Sequence, residues 1–410
     1  MRLLLNVLIL VVLQVAVWGG LAQPASAFTE EQNLFNEAWR IVNQSYLDAS
    51  FNHKNWYRLR EQQLKQPLPD RETTYSSIEQ LLSQLGDPFT RLLRPDQYRS
   101  LKVSTAGELS GVGLQIGFDA QSEAIVVIAP LQGSPAAKAG ILAGERILAI
   151  DQEGTQGMSL DEAAARMRGS AGTTVQLTLQ REAEEPRTVA LVRDRIALNP
   201  VVALLDRQSA DRPIGYVRLN QFNANAPMEM AHAIVRLEQQ GAQAYILDLR
   251  NNPGGLLQSG IEIARDFIAE GPIVYTVNRQ GLLDSFEATD HVLTDKPLAV
   301  LVNRGTASAS EILAGALQDS GRAKLVGDRT FGKGLIQSLF ELSDGSGMAV
   351  TVAKYETPAH HDINQQGIQP DEWVELKEPL LPEQIGTAAD TQYQAAIALL
   401  CPPTAQARAA

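Results

Sequence analysis

Leu298-Ala299-Val300-Leu301-Val302-Asn303-Arg304-Gly305-Thr306-Ala307-Ser308-Ala309-Ser310-Glu311 is the stretch that decides the fold. Five apolar residues in a row read as a strand buried on both faces, as in a parallel sheet. Asn303 and Gly305 break the run, and residues 309–317 then read as a helix. A strand, a tight turn and a helix in that order suit a nucleophile. The turn exposes a hydroxyl at a helix N-terminus, where free backbone N–H groups and the helix dipole stabilise developing negative charge. Thr306, Ser308 and Ser310 offer the hydroxyls, and taken alone each is better explained as a helix cap.

The α/β alternation continues on both sides. Residues 214–219, 244–249, 273–277 and 348–355 read as strands, and 228–239, 261–268 and 392–400 as helices. Asn251-Asn252-Pro253-Gly254-Gly255 is a tight turn whose glycines permit close backbone approach, so its amides are candidate oxyanion donors. Gly332-Lys333-Gly334 places a lysine among Phe331, Leu335 and Ile336. Desolvation there would lower its pKa and let a neutral amine take a proton from serine. Gln337 shares a face with Lys333 only if the segment makes a helical turn; on a straight strand the two stand roughly 13 Å apart. A bend at Gly334 is therefore part of the expectation.

Two rivals compete for these residues. Gly327–Lys333 fits the start of a phosphate-binding loop, but Gly334 stands where Ser or Thr would hold magnesium. His360-His361 could serve a histidine-based triad, yet nothing in the sequence brings the pair near Ser308.

Upstream the texture changes. Residues 29–100 carry a helical pattern: Thr29 and Gln32 have capping-box spacing, and Leu34, Phe35, Ala38, Trp39, Val42 and Tyr46 recur at helical steps. Residues 107–181 read as short strands and turns, with a short Ala-rich helix opened by Gly133-Ser134-Pro135 and a second helix at 159–167, and 182–186 as a hairpin tip or linker. Arg2, the apolar run 3–13 and Ala25-Ser26-Ala27 read as a signal peptide cleaved after Ala27, hence an exported protein.

Composition bounds the partners. The 410 residues include 47 acidic and 35 basic side chains, a net charge of −12, which is the wrong sign for tracking phosphates, so no nucleic acid is expected. Cys401 is the one cysteine, which excludes an intrachain disulfide, a thiolate zinc site and an iron–sulfur cluster. Five histidines leave little for a metal site, and no metal or cofactor is expected.

Thr306–Glu311, Phe331-Gly332-Lys333-Gly334, Gln337 and Leu247–Gly255 together resemble the carboxyl-terminal processing proteases, serine peptidases with a serine–lysine dyad and an inserted PDZ domain. The resemblance implies Ser308 as nucleophile, Lys333 as general base and Gln337 as the residue that orients it. It also implies an oxyanion hole from Ala309 and from Gly254 or Gly255, between which the sequence does not choose. Gly111-Val112-Gly113-Leu114 resembles a PDZ carboxylate-binding loop, whose consecutive amides form a nest for an anion. Arg168, within 168–173, is a candidate link between that domain and the core.

Phe28–Gln32, Asp87–Arg91 and Tyr355–Pro358 resemble the cyanobacterial and plastid branch, whose members trim the photosystem II D1 precursor. The expected organisation is multidomain α+β: signal peptide 1–27, helical domain 28–104, PDZ domain 105–182, crotonase-like α/β protease core 183–378, and C-terminal helix and tail 379–410. The implied partner is a protein with a free carboxyl terminus, met by a monomer at a membrane periphery in the thylakoid lumen or periplasm. The alternative is a non-catalytic PDZ scaffold that gathers exported carboxyl termini.

Overall fold

The computed structural model describes residues 28–401 apart from 120–123, 132, 182–183, 209–210, 377 and 379. The signal-peptide reading and the polar tail after Cys401 lie outside the described residues. The chain divides into two compact units. One takes the residues up to Pro95 together with Gln337–Thr351, the other Asp96–Ile336 and the residues from Val352 on.

In the first unit, helix Glu30–Ser45 opens with the expected capping box: Gln32 N–H donates to Thr29 Oγ1 at 3.2 Å, and Thr29 N–H to Gln32 Oε1 at 3.1 Å. Its apolar stripe (Leu34, Phe35, Ala38, Trp39, Val42) is buried. Trp39 and Trp56 each donate an indole N–H to the other's carbonyl, at 3.1 and 3.4 Å, so two large rings are buried without an orphaned donor. Helices Trp56–Leu64 and Arg71–Ser83 start at Asn55 and Asp70, whose side chains accept N–H groups of the first turn. The unit is not helical alone. Arg91–Leu93 pairs antiparallel with Gly347–Ala349, a strand contributed from more than 250 residues along the chain, and the helix Pro95–Ala106 lies almost wholly in the second unit.

The second unit holds the other two expected parts. Leu114–Asp119, Ala124–Pro130, Arg146–Ile150, Thr174–Gln180 and Arg187–Val192 form an antiparallel sheet around Val112, Ile125, Val127, Ile147, Val175 and Leu177. Thr174–Gln180 pairs directly with Arg187–Val192, so the stretch between them connects a hairpin and is no linker. Leu114–Asp119 is an edge strand, with helix Leu160–Met167 beside it.

A six-stranded sheet follows, in the order Val201–Asp206, Ile214–Leu219, Ala244–Asp248, Leu298–Val302, Lys324–Gly327, Glu372–Trp373. The first pair is antiparallel and the others parallel. Ala244–Asp248 and Leu298–Val302 are buried along their whole length, which explains their unbroken apolar sequence. One face packs against helices Ala226–Gln239, Leu257–Arg265 and Ala309–Asp319, and the other is covered by Thr391–Leu400. No helix among the described residues is long and apolar enough to cross a membrane.

Candidate active site

The site is built where Leu298–Val302 ends. Asn303–Ala307 turn the chain, and Ser308 stands immediately before helix Ala309–Asp319 with φ 58° and ψ −120°. A non-glycine residue there costs about 1–3 kcal/mol, and the surrounding bonds hold it in place. Thr306 Oγ1 donates to Leu249 O at 2.9 Å, and Ser310 Oγ to Asn252 O at 3.0 Å. The two neighbouring hydroxyls are thus spent on the Leu249–Asn252 turn, whereas the Ser308 hydroxyl does not cap the helix. The three hydroxyls that the sequence left equivalent are distinguished by their partners.

Helix Ala309–Asp319 is buried from Ala309 to Leu317, and one of those residues is Glu311, fully buried. A carboxylate in such a place needs partners, and it has four. Oε2 accepts the backbone N–H of Ser308 and of Lys333, each at 2.9 Å. Oε1 accepts Gly332 N–H at 2.7 Å and the Thr330 hydroxyl at 2.5 Å. Glu311 therefore joins the Ser308 turn to the Thr330–Lys333 segment. Tyr355 joins them again, its hydroxyl lying 2.7 Å from Lys333 O and 3.1 Å from Ser308 O. Sequence reading placed both residues in recognisable runs and gave neither a part in the site.

Lys333 is half-buried in irregular chain just before strand Leu335–Glu341. No helix follows it, which removes the architecture a phosphate-binding loop needs, and the one-turn helix that would put Gln337 on its face is also absent. Gln337 belongs to the first unit, where its Nε2 donates to Thr351 Oγ1 at 3.3 Å, and Thr351 Oγ1 in turn to Asp87 Oδ2 at 2.7 Å. His360 and His361 are surface residues, with side chains 58% and 70% exposed, and the His360 ring stacks on Tyr275.

The candidate oxyanion turn lies against Ser308. Gly254 has φ 96°, and a Cβ there would stand 2.9 Å from both Ser308 Cβ and the Ala309 nitrogen. Gly255 packs instead on Phe222. Gly254 is thus the member of the pair beside Ser308, and its N–H donates to Asn252 Oδ1 at 2.9 Å. An oxyanion would have to share that donor or displace Asn252.

Behind the turn, Arg250 uses all five guanidinium N–H bonds. Two reach Asp248 at 2.9 and 2.6 Å, two reach Asp390 at 2.9 and 2.7 Å, and one reaches Gln392 at 3.0 Å. Burial opposes the arginine's charge, but the two carboxylates outweigh it and hold the pKa well above the ordinary guanidinium value. Burial raises Asp390 as well; the Arg250 bond and two backbone N–H groups more than offset it, and its pKa is lowered.

Gly111–Leu114 links Glu108–Gly111 to the edge strand. The carbonyls of Val112 and Gly113 accept N–H groups of Ala136 and Leu131, each at 2.9 Å. Gly113 has φ 76°, and a Cβ there would sit 2.3 Å from Ser134 Cβ, so only glycine fits. Arg168 lies exposed at the rim of this loop: Gly111 packs on its backbone, and the next residue's carbonyl accepts the Ser110 hydroxyl at 2.7 Å.

The model of Peptidase family S41 matches residues 213–374 and that of the PDZ domain residues 100–180. The carboxyl-terminal-processing protease of Synechocystis sp. is 60% identical over 94% of this chain and 90% of its own length. The chloroplastic C-terminal processing peptidase of Tetradesmus obliquus is 44% identical over 89% of this chain and 81% of its own. Among solved structures, a photosystem II D1 C-terminal processing protease is 41% identical with a TM-score of 0.59, covering 90% of this chain and 99% of that one.

Proposed function

This chain belongs to peptidase family S41, among the carboxyl-terminal-processing proteases, and from that membership we propose a serine endopeptidase that removes a short carboxyl-terminal extension by a serine–lysine dyad. The observation that carries the mechanism is the double tie between the Ser308 and Lys333 segments through Glu311 and Tyr355.

In this reading Lys333 in its neutral form takes the hydroxyl proton as Ser308 Oγ attacks the scissile carbonyl. The tetrahedral oxyanion is stabilised by the N–H groups of Ala309 and of Gly254 or Gly255, and Gly254 is favoured by its place against Ser308. Lys333 returns its proton to the leaving amine, and the acyl-enzyme is hydrolysed by water. Because the base must be neutral, activity rises toward alkaline pH. Gln337 keeps the orienting part on the resemblance alone.

The PDZ domain captures the substrate's free carboxylate at Gly111–Leu114 and pairs its extended tail with the edge strand Leu114–Asp119. Arg168 at the rim of that loop is the proposed link from capture to cleavage. The substrate we propose is the photosystem II D1 precursor, supported by the name of the 41%-identical solved structure and by the chloroplastic relatives. That substrate sets the place of action in the thylakoid lumen or periplasm, beside a membrane, and the enzyme works as a monomer.

The test offers a peptide ending in the D1 precursor's carboxyl terminus with either a free or an amidated end. One internal cut, much faster on the free carboxylate, is expected. Equal rates on both would remove carboxylate capture, and tight binding with no cut would favour the scaffold.

A further inference from the structure

Tyr355 opens the Tyr355–Pro358 run that the sequence marked, and the steps of the mechanism above assign its hydroxyl no task. Its side chain is 1% exposed, within the cluster that packs the protease sheet. Its backbone N–H donates to Gly334 O at 3.0 Å, which sets it opposite the segment carrying Lys333. Its hydroxyl then lies 2.7 Å from Lys333 O and 3.1 Å from Ser308 O, so one phenolic proton faces the backbone of both residues of the proposed dyad.

The two acceptors differ. Ser308 O already receives the helix N–H groups of Glu311 and Ile312, at 2.8 and 3.0 Å. At Lys333 the hydroxyl completes a pair of restraints: Glu311 holds the N–H and Tyr355 the carbonyl, fixing the peptide planes on both sides of one Cα. Burial first, then the charges of Glu311 and Asp362, hold the phenol well above its ordinary pKa, so it stays a donor across the working range.

We infer that Tyr355 is a positioning residue of the peptidase site, whose hydroxyl fixes the Lys333 backbone relative to Ser308 and so aims the amine at Oγ. The inference rests on the Ser308–Lys333 reading. Lysine is a long, flexible base, and proton transfer is sensitive to displacements of about 1 Å, so restraint of its backbone bears on turnover more than on binding.

Tyr355→Phe removes one oxygen and keeps the ring. The account expects kcat to fall roughly tenfold or more, the size of one lost buried hydrogen bond, with KM within about twofold. The acidic limb of the pH–rate profile should move upward, because a loosened lysine is better hydrated and holds its proton more firmly. Tyr355→p-aminophenylalanine, which restores a donor at the same place, should recover most of the loss.

Wild-type kcat and pH profile in Tyr355→Phe would overturn the inference. So would a drop matched by the folded fraction with the pH limb unmoved, or a p-aminophenylalanine variant that folds yet stays as slow as Phe. Ser308→Ala run beside it separates the two readings. If Ser308→Ala still cuts, the dyad itself falls; if it is inactive while Tyr355→Phe behaves as wild type, only the positioning role falls.

Discussion

The backbone N–H groups of Ser308 and Lys333 donate to the same oxygen, Oε2 of Glu311, each at 2.9 Å. The two residues are 25 apart in sequence, on opposite sides of a helix and a strand, and one buried carboxylate sets their separation. Removing it should therefore damage both fold and turnover. Glu311→Ala leaves four donors without their acceptor and is expected to cost about 3 kcal/mol or more, seen as a fall in Tm of roughly 5–10 °C. Glu311→Gln keeps the shape and one acceptor oxygen, so it should fold nearly as well while kcat drops at least about tenfold. Equal loss of kcat and Tm in both variants, or no loss in either, would contradict this role.

Arg250 ties the strand end before the candidate oxyanion turn to the start of helix Thr391–Leu400 through Asp390. Arg250→Met strands the buried carboxylates of Asp248 and Asp390, and calorimetry should show a loss of about 3–5 kcal/mol. The sign of the acid response follows from Asp390. Its pKa is lower folded than unfolded, so its stabilisation is complete above the ordinary carboxylate range and disappears as pH falls through the folded value. In Arg250→Met that acid-dependent loss should shrink. An unchanged slope of stability against pH below about 4 would show that Asp390 is not held by this arginine.

Asp266 has the opposite signature. One carboxylate oxygen is buried with no hydrogen-bond partner, and burial, then the charge of Glu262, raises its pKa from 3.8 to about 7. A raised folded pKa means stability that is full below the unfolded value and lost as pH climbs through about 7. Asp266→Asn, neutral at every pH, should raise Tm by a few degrees at pH 8 and gain nothing at pH 4. A gain of equal size at both would show that the side chain is not ionising on unfolding.

Much of the site is legible in the order of residues alone. The apolar strand, the hydroxyl-bearing turn and the buried helix announce the architecture of the candidate site, because a parallel sheet with both faces covered leaves an unbroken apolar run. The capping box at Thr29 and the glycine-rich loop Gly111–Leu114 are equally local, and local signals survive in sequence. What stays hidden depends on distant partners. Glu311 does carry a clue, an acid inside an otherwise apolar helix, but its partners Thr330, Gly332 and Lys333 lie 19–22 residues further on. Tyr355 reads as any aromatic on a β-strand until its hydroxyl is seen between two carbonyls. The Gln337–Thr351–Asp87 chain joins residues up to 264 apart, and no periodicity encodes it. Strand Val201–Asp206 escapes notice because it is an edge strand, with Val202 and Leu204 half-exposed.

The central claim is that Ser308 cuts and Lys333 activates it. The measurement that tests it most directly is the set of product masses from a D1-precursor carboxyl-terminal peptide incubated with wild type, Ser308→Ala and Lys333→Ala. All three should fold and bind the peptide equally. The account predicts one internal cut by the wild type and none by either variant on the same timescale. The same cut made by Ser308→Ala, or by Lys333→Ala at an undiminished rate, would contradict it.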